Sequence, residues 1–145
     1  MRLSAKTHQQ LETFFRLYFE DENLKLPEVE IYLRRGAKFV IKLIRVDGIT
    51  IGRRVFINPD LAFYDENKRL CLSKNLLSHE LTHVVQYNQL GFFGFLYKYI
   101  KDYFIILRQK KTWNSEARME SYWEIPHEIE ARDAAKKFVI WLNEV

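Results

Sequence analysis

Residues 75–91, NLLSHELTHVVQYNQLG, decide how the rest of the chain is read. His79 and His83 stand four residues apart, and Glu80 follows the first histidine directly. On a helix, residues four apart share a face, with Cβ atoms roughly 5–6 Å apart. Both imidazoles can then reach one metal ion. Glu80 lies about 100° further round, because 3.6 residues make a turn. From there its carboxylate reaches a metal-activated water rather than the metal. Two ligands and a general base are the logic of the HExxH pattern. An ordinary amphipathic helix is the competing reading, and the combined spacing of all three residues favours the metal site.

The flanks support a helix over 74–90, with Ser73 as N-cap and Gly91 as C-terminal stop. Leu77, Leu81 and Val84 make an apolar stripe for the core, while His79, His83 and Tyr87 are free to line a cleft. Towards the N-terminus, Leu11, Phe14, Phe15, Tyr18 and Phe19 recur at helical spacing over residues 5–20. After Pro27, Val29, Ile31 and Leu33 alternate with polar neighbours as in a half-buried strand. AKFVIKLIRV (37–46) fits a short helix slightly better than a strand, because Ala37, Val40 and Ile44 share a face. GITIGRRVFINPD (48–60) reads as extended segments punctuated by Gly48, Gly52 and Pro59, which predicts a short antiparallel sheet.

Towards the C-terminus, FFGFLYKYIKDYFIILRQKK (92–111) predicts an aromatic helix. Its residues Phe92, Phe93, Phe95, Leu96, Tyr99, Tyr103, Phe104 and Ile106 suit a core cover better than a membrane-surface face beside Lys98, Lys101 and Lys110–Lys111. Gly94 would permit close packing on the HExxH helix. A polar segment, TWNSEARMES (112–121), follows. A last helix is expected within 122–145, with Pro126 in its first turn, where its missing N–H costs little. Helices around a small sheet make an α+β arrangement, read as one domain over 1–145.

The 145 residues are 48% hydrophobic and 15% aromatic, with five glycines and three prolines, enough to bury a core without disulfides or structural metal. A zinc site here is therefore expected to serve chemistry rather than folding. Cys71 is the sole cysteine, which excludes an internal disulfide and any paired-cysteine metal motif. No signal peptide and no apolar run of roughly 18 residues is seen, so the expectation is a soluble, cytoplasmic protein. The surplus of 23 Lys and Arg over 19 Asp and Glu accompanies no nucleic-acid-binding motif, and no nucleic-acid partner is expected.

Catalytic zinc takes three protein ligands and keeps one position for water. PHEIEARDAA (126–135) offers His127, Glu128 and Glu130 for the third, with Glu116 and Glu120 as outside competitors.

HELTHVVQY (79–87), preceded by GITIGRRVFI (48–57) and followed by YWEIPHEIEA (122–131), resembles a bacterial family of zincin-like HExxH metallopeptidase domains. The family is catalogued as a domain of unknown function, and related domains occur in extracellular contractile injection system proteins. The resemblance spans roughly residues 26–135. It implies a small antiparallel sheet, an active-site helix and a later helix supplying a glutamate ligand. Carried onto this chain, it makes His79 and His83 zinc ligands and Glu80 the base. A glutamate three residues before an alanine selects Glu128, ahead of Ala131, although Arg132 replaces the aspartate common in that pattern. A glutamate directly before alanine, as in thermolysin-like enzymes, would select Glu130 instead. Glu128 is preferred.

The expected activity is zinc-dependent hydrolysis of a peptide or protein substrate, with Glu80 as general base. Tyr122, Tyr87 and His127 are candidates by position for an oxyanion donor, Tyr122 first. Two rivals are a zinc-binding, non-hydrolytic interaction domain within a larger assembly, and a metal-free peripheral membrane or nucleic-acid binder.

Overall fold

The computed structural model describes residues 1–33 and 46–145. The short helix expected over 37–46 falls outside the described residues except for Val46. The described chain is α+β, with five helices and a small sheet.

Helix α1, Ala5–Tyr18, starts at Ser4, whose side chain accepts from Thr7 N, and it buries Leu11, Phe14 and Phe15 as its periodicity predicts. Strands β1 (Glu30–Tyr32), β2 (Gly48–Ile51) and β3 (Arg54–Ile57) form one sheet in the order β1-β3-β2. β2 and β3 are an antiparallel hairpin, but β1 pairs with β3 in parallel. The sheet is therefore mixed, which corrects the antiparallel expectation. Strand periodicity marks faces and carries no information about partner direction. A single turn of 3₁₀ helix, Pro59–Leu61, leads to an exposed ribbon of β4 (Phe63–Tyr64) and β5 (Leu70–Cys71).

Helix α2, Lys74–Leu90, carries the HExxH residues. Ser73 caps it by accepting from Leu76 N, and Gly91 ends it with φ 75°, a backbone region that glycine enters at no steric cost. Helix α3, Phe92–Gln109, follows immediately. Helix α4, Ser115–Trp123, occupies most of the expected polar segment, capped by Asn114 on Ala117 N. Its buried residues are the small Ala117 and Ser121, too weak a pattern to reveal a helix. Helix α5, Pro126–Glu144, begins at the proline as predicted.

The core joins α1, the sheet, α2 and α5 through residues such as Phe15, Ile31, Val55, Leu81 and Phe138. Each such side chain contributes about 1.5–3 kcal/mol by leaving water. α2 packs most extensively on α5 and also meets β2 and α3. Ala131, Ala134 and Ala135 are at most 1% exposed, and side chains that short let the α5 backbone approach α2 closely. That approach brings the start of α5 to the histidines.

α3 differs from its expectation as a core cover. Its buried residues are Phe95 and Leu107, whereas Phe92, Phe93 and Phe104 are exposed. Gly94 has no packing role either. A Cβ built there would make only an ordinary 3.8 Å contact with Leu90. The helix meets α2 through Phe95, whose ring centroid lies 4.0 Å from that of Tyr87.

Candidate metal centre

One helical turn separates His79 from His83, and their ring centroids lie 5.0 Å apart, nearly edge-on. Glu128, in the first turn of α5, reaches across to both. Its Oε2 lies 3.1 Å from His79 Nε2 and its Oε1 lies 3.2 Å from His83 Nε2. One ligand atom from each of the three residues lies within 4.8 Å of the others. The Glu128 side chain is 3% exposed, His83 8% and His79 17%, so the cluster is almost dry but opens at His79.

Glu130 goes elsewhere. It accepts from Gln86 Nε2 at 2.7 Å, and Gln86 Nε2 also donates to the His127 carbonyl at 3.1 Å. These two acceptors fix the amide orientation, so Gln86 Oε1 faces His83 Nδ1 at 2.8 Å and accepts its proton. With Nδ1 protonated, a neutral His83 aims the lone pair of Nε2 at the Glu128 carboxylate. This is how an outer partner prepares an imidazole for a metal. Glu130, the alternative third ligand in the sequence, thus steadies His83 through Gln86.

Two acceptors facing each other at 3.2 Å in a buried site repel unless a cation stands between them. Without metal, that cation is a proton. Burial opposes charge on His83, yet Glu128, Glu80 and Gln86 outweigh it and raise its pKa to about 9. Burial likewise opposes charge on Glu128, but His79 and His83 hold its carboxyl well below the ordinary carboxylate range. Glu128 Oε2 stands 3.1 Å from His79 Nε2 but has no geometric hydrogen-bond partner among the described residues. An orphaned buried carboxylate oxygen beside two imidazole nitrogens is a donor set fitting a divalent cation such as zinc.

Glu80 is 3% exposed and points to the sheet side of the cluster. Thr50 Oγ1 donates to its Oε2 at 2.7 Å, and burial pushes its pKa up. β2 turns Gly48 and Thr50 inward and Ile51 outward. The reason is space, because a Cβ on Gly48 would stand 2.6 Å from Glu80 Oε1. A cavity of about 740 Å³ opens beside the cluster, lined by Glu80, His83, Glu128, Tyr99, Tyr122 and apolar residues of β2, α3 and α4.

Tyr122 and Tyr87 both line this cavity, whereas His127 does not. His127 is buried with Nδ1 unpartnered among the described residues, its ring edge-on to Phe95 at 5.1 Å. Burial, followed by the Glu128 and Glu80 carboxylates, pushes the Tyr122 hydroxyl pKa far up, so it remains a donor. Glu116 and Glu120 stay on α4, where Glu120 pairs with Lys110 at 3.3 Å.

Sequence reasoning missed three residues. Tyr99 donates to Glu128 Oε1 at 2.6 Å. Its signal was a polar-tipped aromatic four residues after buried Phe95, on the face that must fold back over α2. Gln86 stands three residues after His83, a polar residue between the buried Val85 and Tyr87. Thr50 left only the faint clue of a hydroxyl on a strand flanked by isoleucines.

Among protein families, the chain matches the model of the eCIS core domain over residues 2–91, more than half its length. That span contains His79, Glu80 and His83 and ends before Tyr99, Tyr122 and Glu128. No curated protein matches the chain, and no solved structure does.

Proposed function

This chain belongs to the eCIS core domain family, and we propose that it is a zincin-like, zinc-dependent metallopeptidase. The observation that carries the reading is Glu128, a buried carboxylate set against two imidazole nitrogens beside a cavity that also holds buried Glu80. His79, His83 and Glu128 would hold the metal. Zinc there would supply the Lewis acidity that polarises a scissile carbonyl and acidifies water.

The chain's own residues do the rest. Glu80, its pKa raised by burial, takes a proton from the attacking water and passes it to the leaving amine as the C–N bond breaks. The water's oxygen stays on the carbonyl carbon. Thr50 holds the Glu80 carboxylate in place through its 2.7 Å hydrogen bond. Tyr122 donates to the oxygen on which negative charge develops. Tyr99 is occupied by Glu128 and serves to position that ligand. Ile49, Ile51 and Leu96 give the cavity an apolar wall for a substrate side chain.

Family membership favours a second reading, a zinc-binding, non-hydrolytic interaction domain within a larger assembly. One experiment separates the two. Metal content of protein purified without added zinc is measured for the wild type, His83→Ala and Glu80→Gln, with peptidase activity assayed on an unfolded protein substrate. Near-stoichiometric metal in the wild type and Glu80→Gln but not in His83→Ala, with turnover lost in Glu80→Gln, supports the enzyme. The same metal pattern with no turnover in any form supports the interaction domain. A metal-free wild type sinks both.

A further inference from the structure

Among the described residues, no element covers the outer face of α3. Phe93, Tyr97, Ile100 and Phe104 follow one another at helical spacing and are 82%, 70%, 51% and 49% exposed. Trp113, 63% exposed, extends this stripe with its ring 6.5 Å from Phe104. Isolated exposed apolar residues are ordinary, but a contiguous stripe of five marks an interaction surface.

The neighbouring charge indicates what it meets. Lys101 and Arg108 stand exposed about 60–80° round the helix from Phe93, and exposed Lys111 follows. Residues 92–113 hold Lys98, Lys101, Arg108, Lys110 and Lys111 against Asp102 alone, a surplus of four positive charges. Lys98 pairs with Asp102 and Lys110 with Glu120 and Glu124, so the cations that border the stripe towards solvent are Lys101, Arg108 and Lys111. No described helix is long and apolar enough to cross a membrane. An aromatic stripe with a basic border suits a helix lying in the plane of a headgroup layer. A second copy of the chain suits it less well, because an antiparallel two-fold pairing of the helices would set the two basic borders against each other.

We propose that the outer face of α3 docks this protein on an anionic lipid bilayer. Leu96 and Tyr103, which line the cavity beside the metal cluster, lie on the other border of the stripe. Docking would hold that cavity next to the lipid surface.

The test is co-sedimentation of the full chain with vesicles of phosphatidylcholine alone or mixed with phosphatidylglycerol, at low and physiological salt. Binding should favour the anionic vesicles and weaken with salt. Phe93→Ser/Phe104→Ser and Lys101→Glu/Arg108→Glu change exposed positions, and circular dichroism verifies that each variant is folded. Each should lower partitioning by about tenfold or more. Absence of anionic-vesicle binding overturns the proposal, as does binding unchanged in both folded variants. Dimerisation through this face without lipid binding assigns it to a second copy and also overturns the proposal. The assay reads nothing that depends on metal, so its failure leaves the catalytic reading intact.

Discussion

α5 and α3 both close on α2, and they do so with opposite materials. α5 presents Ala131, Ala134 and Ala135, so backbone meets backbone and Glu128 is held against the two histidines. α3 presents Phe95 and Tyr99, whose rings keep it at a distance and leave a cavity beneath it. Its far side is left exposed among the described residues. Small residues fix the distance that the proposed coordination site would require, while large ones leave the room that a substrate would require. The same chain uses one helix for each task.

The largest expected effect tests the two sides of α3. Phe95 is 3% exposed and packs on Tyr87, His83, Tyr99 and His127. Phe95→Ala should cost about 3–5 kcal/mol in chemical denaturation. Phe93, 82% exposed, should cost within about 0.5 kcal/mol when replaced by Ala. Similar losses at both positions would mean that both sides of the helix are packed, and the contrast with α5 would fail.

The next effect compares two acids on α5. Glu128→Ala should lower metal affinity by more than hundredfold, beyond the range set by outer partners. Glu130→Ala should lower it by no more than that range, because its contact is with Gln86. Competition with a coloured chelator reads both constants, and a reversed order would make Glu130 the ligand.

His79, Glu80 and His83 were legible in the sequence because a four-residue spacing has one geometric meaning on a helix. The helices carrying Ser73 and Pro126 were legible because their caps obey local chemistry. Glu128 and Glu130 could not be separated by spacing alone. The alanine face of α5 runs between them, so they flank it on opposite edges. Only the docking of α5 on α2 decides which edge meets the imidazoles. The parallel pairing of β1 and the bare side of α3 were hidden for a related reason. Periodicity shows that a face is apolar, and it does not show what covers that face.

A smaller effect belongs to Gln86, which ties the α5 side of the site to His83. Gln86→Leu keeps much of the volume and removes the amide, so Nδ1 loses its acceptor. Metal affinity should fall by about 10–100-fold, with the fold intact by circular dichroism. An unchanged affinity would show that the ring is fixed by packing alone.

The smallest step is spread over pH, and it sets the empty cluster against the filled one. In metal-free protein, the His83 pKa is raised from 6.5 to about 9. Its contribution to stability is fully present below pH 6.5 and is lost as pH rises through 9. Glu128 has the opposite sign, since its pKa is lowered from 4.5. Its contribution is present above pH 4.5 and is lost as pH falls further. The His83–Glu128 pair should therefore contribute most to the stability of chelator-treated protein between pH 4.5 and 6.5, read as the difference between wild type and His83→Ala in denaturant. Above that window, this contribution should decline by at most about 1.4 kcal/mol per pH unit for the one His83 proton. Metal affinity should run the other way, because a ligating imidazole must first release its proton. It should rise by up to tenfold per unit until pH 9, with proton release visible by calorimetry in buffers of different ionisation enthalpy. If both quantities rise together, His83 is not protonated against Glu128 in the empty site, and the facing acceptors are reconciled by something other than a cation.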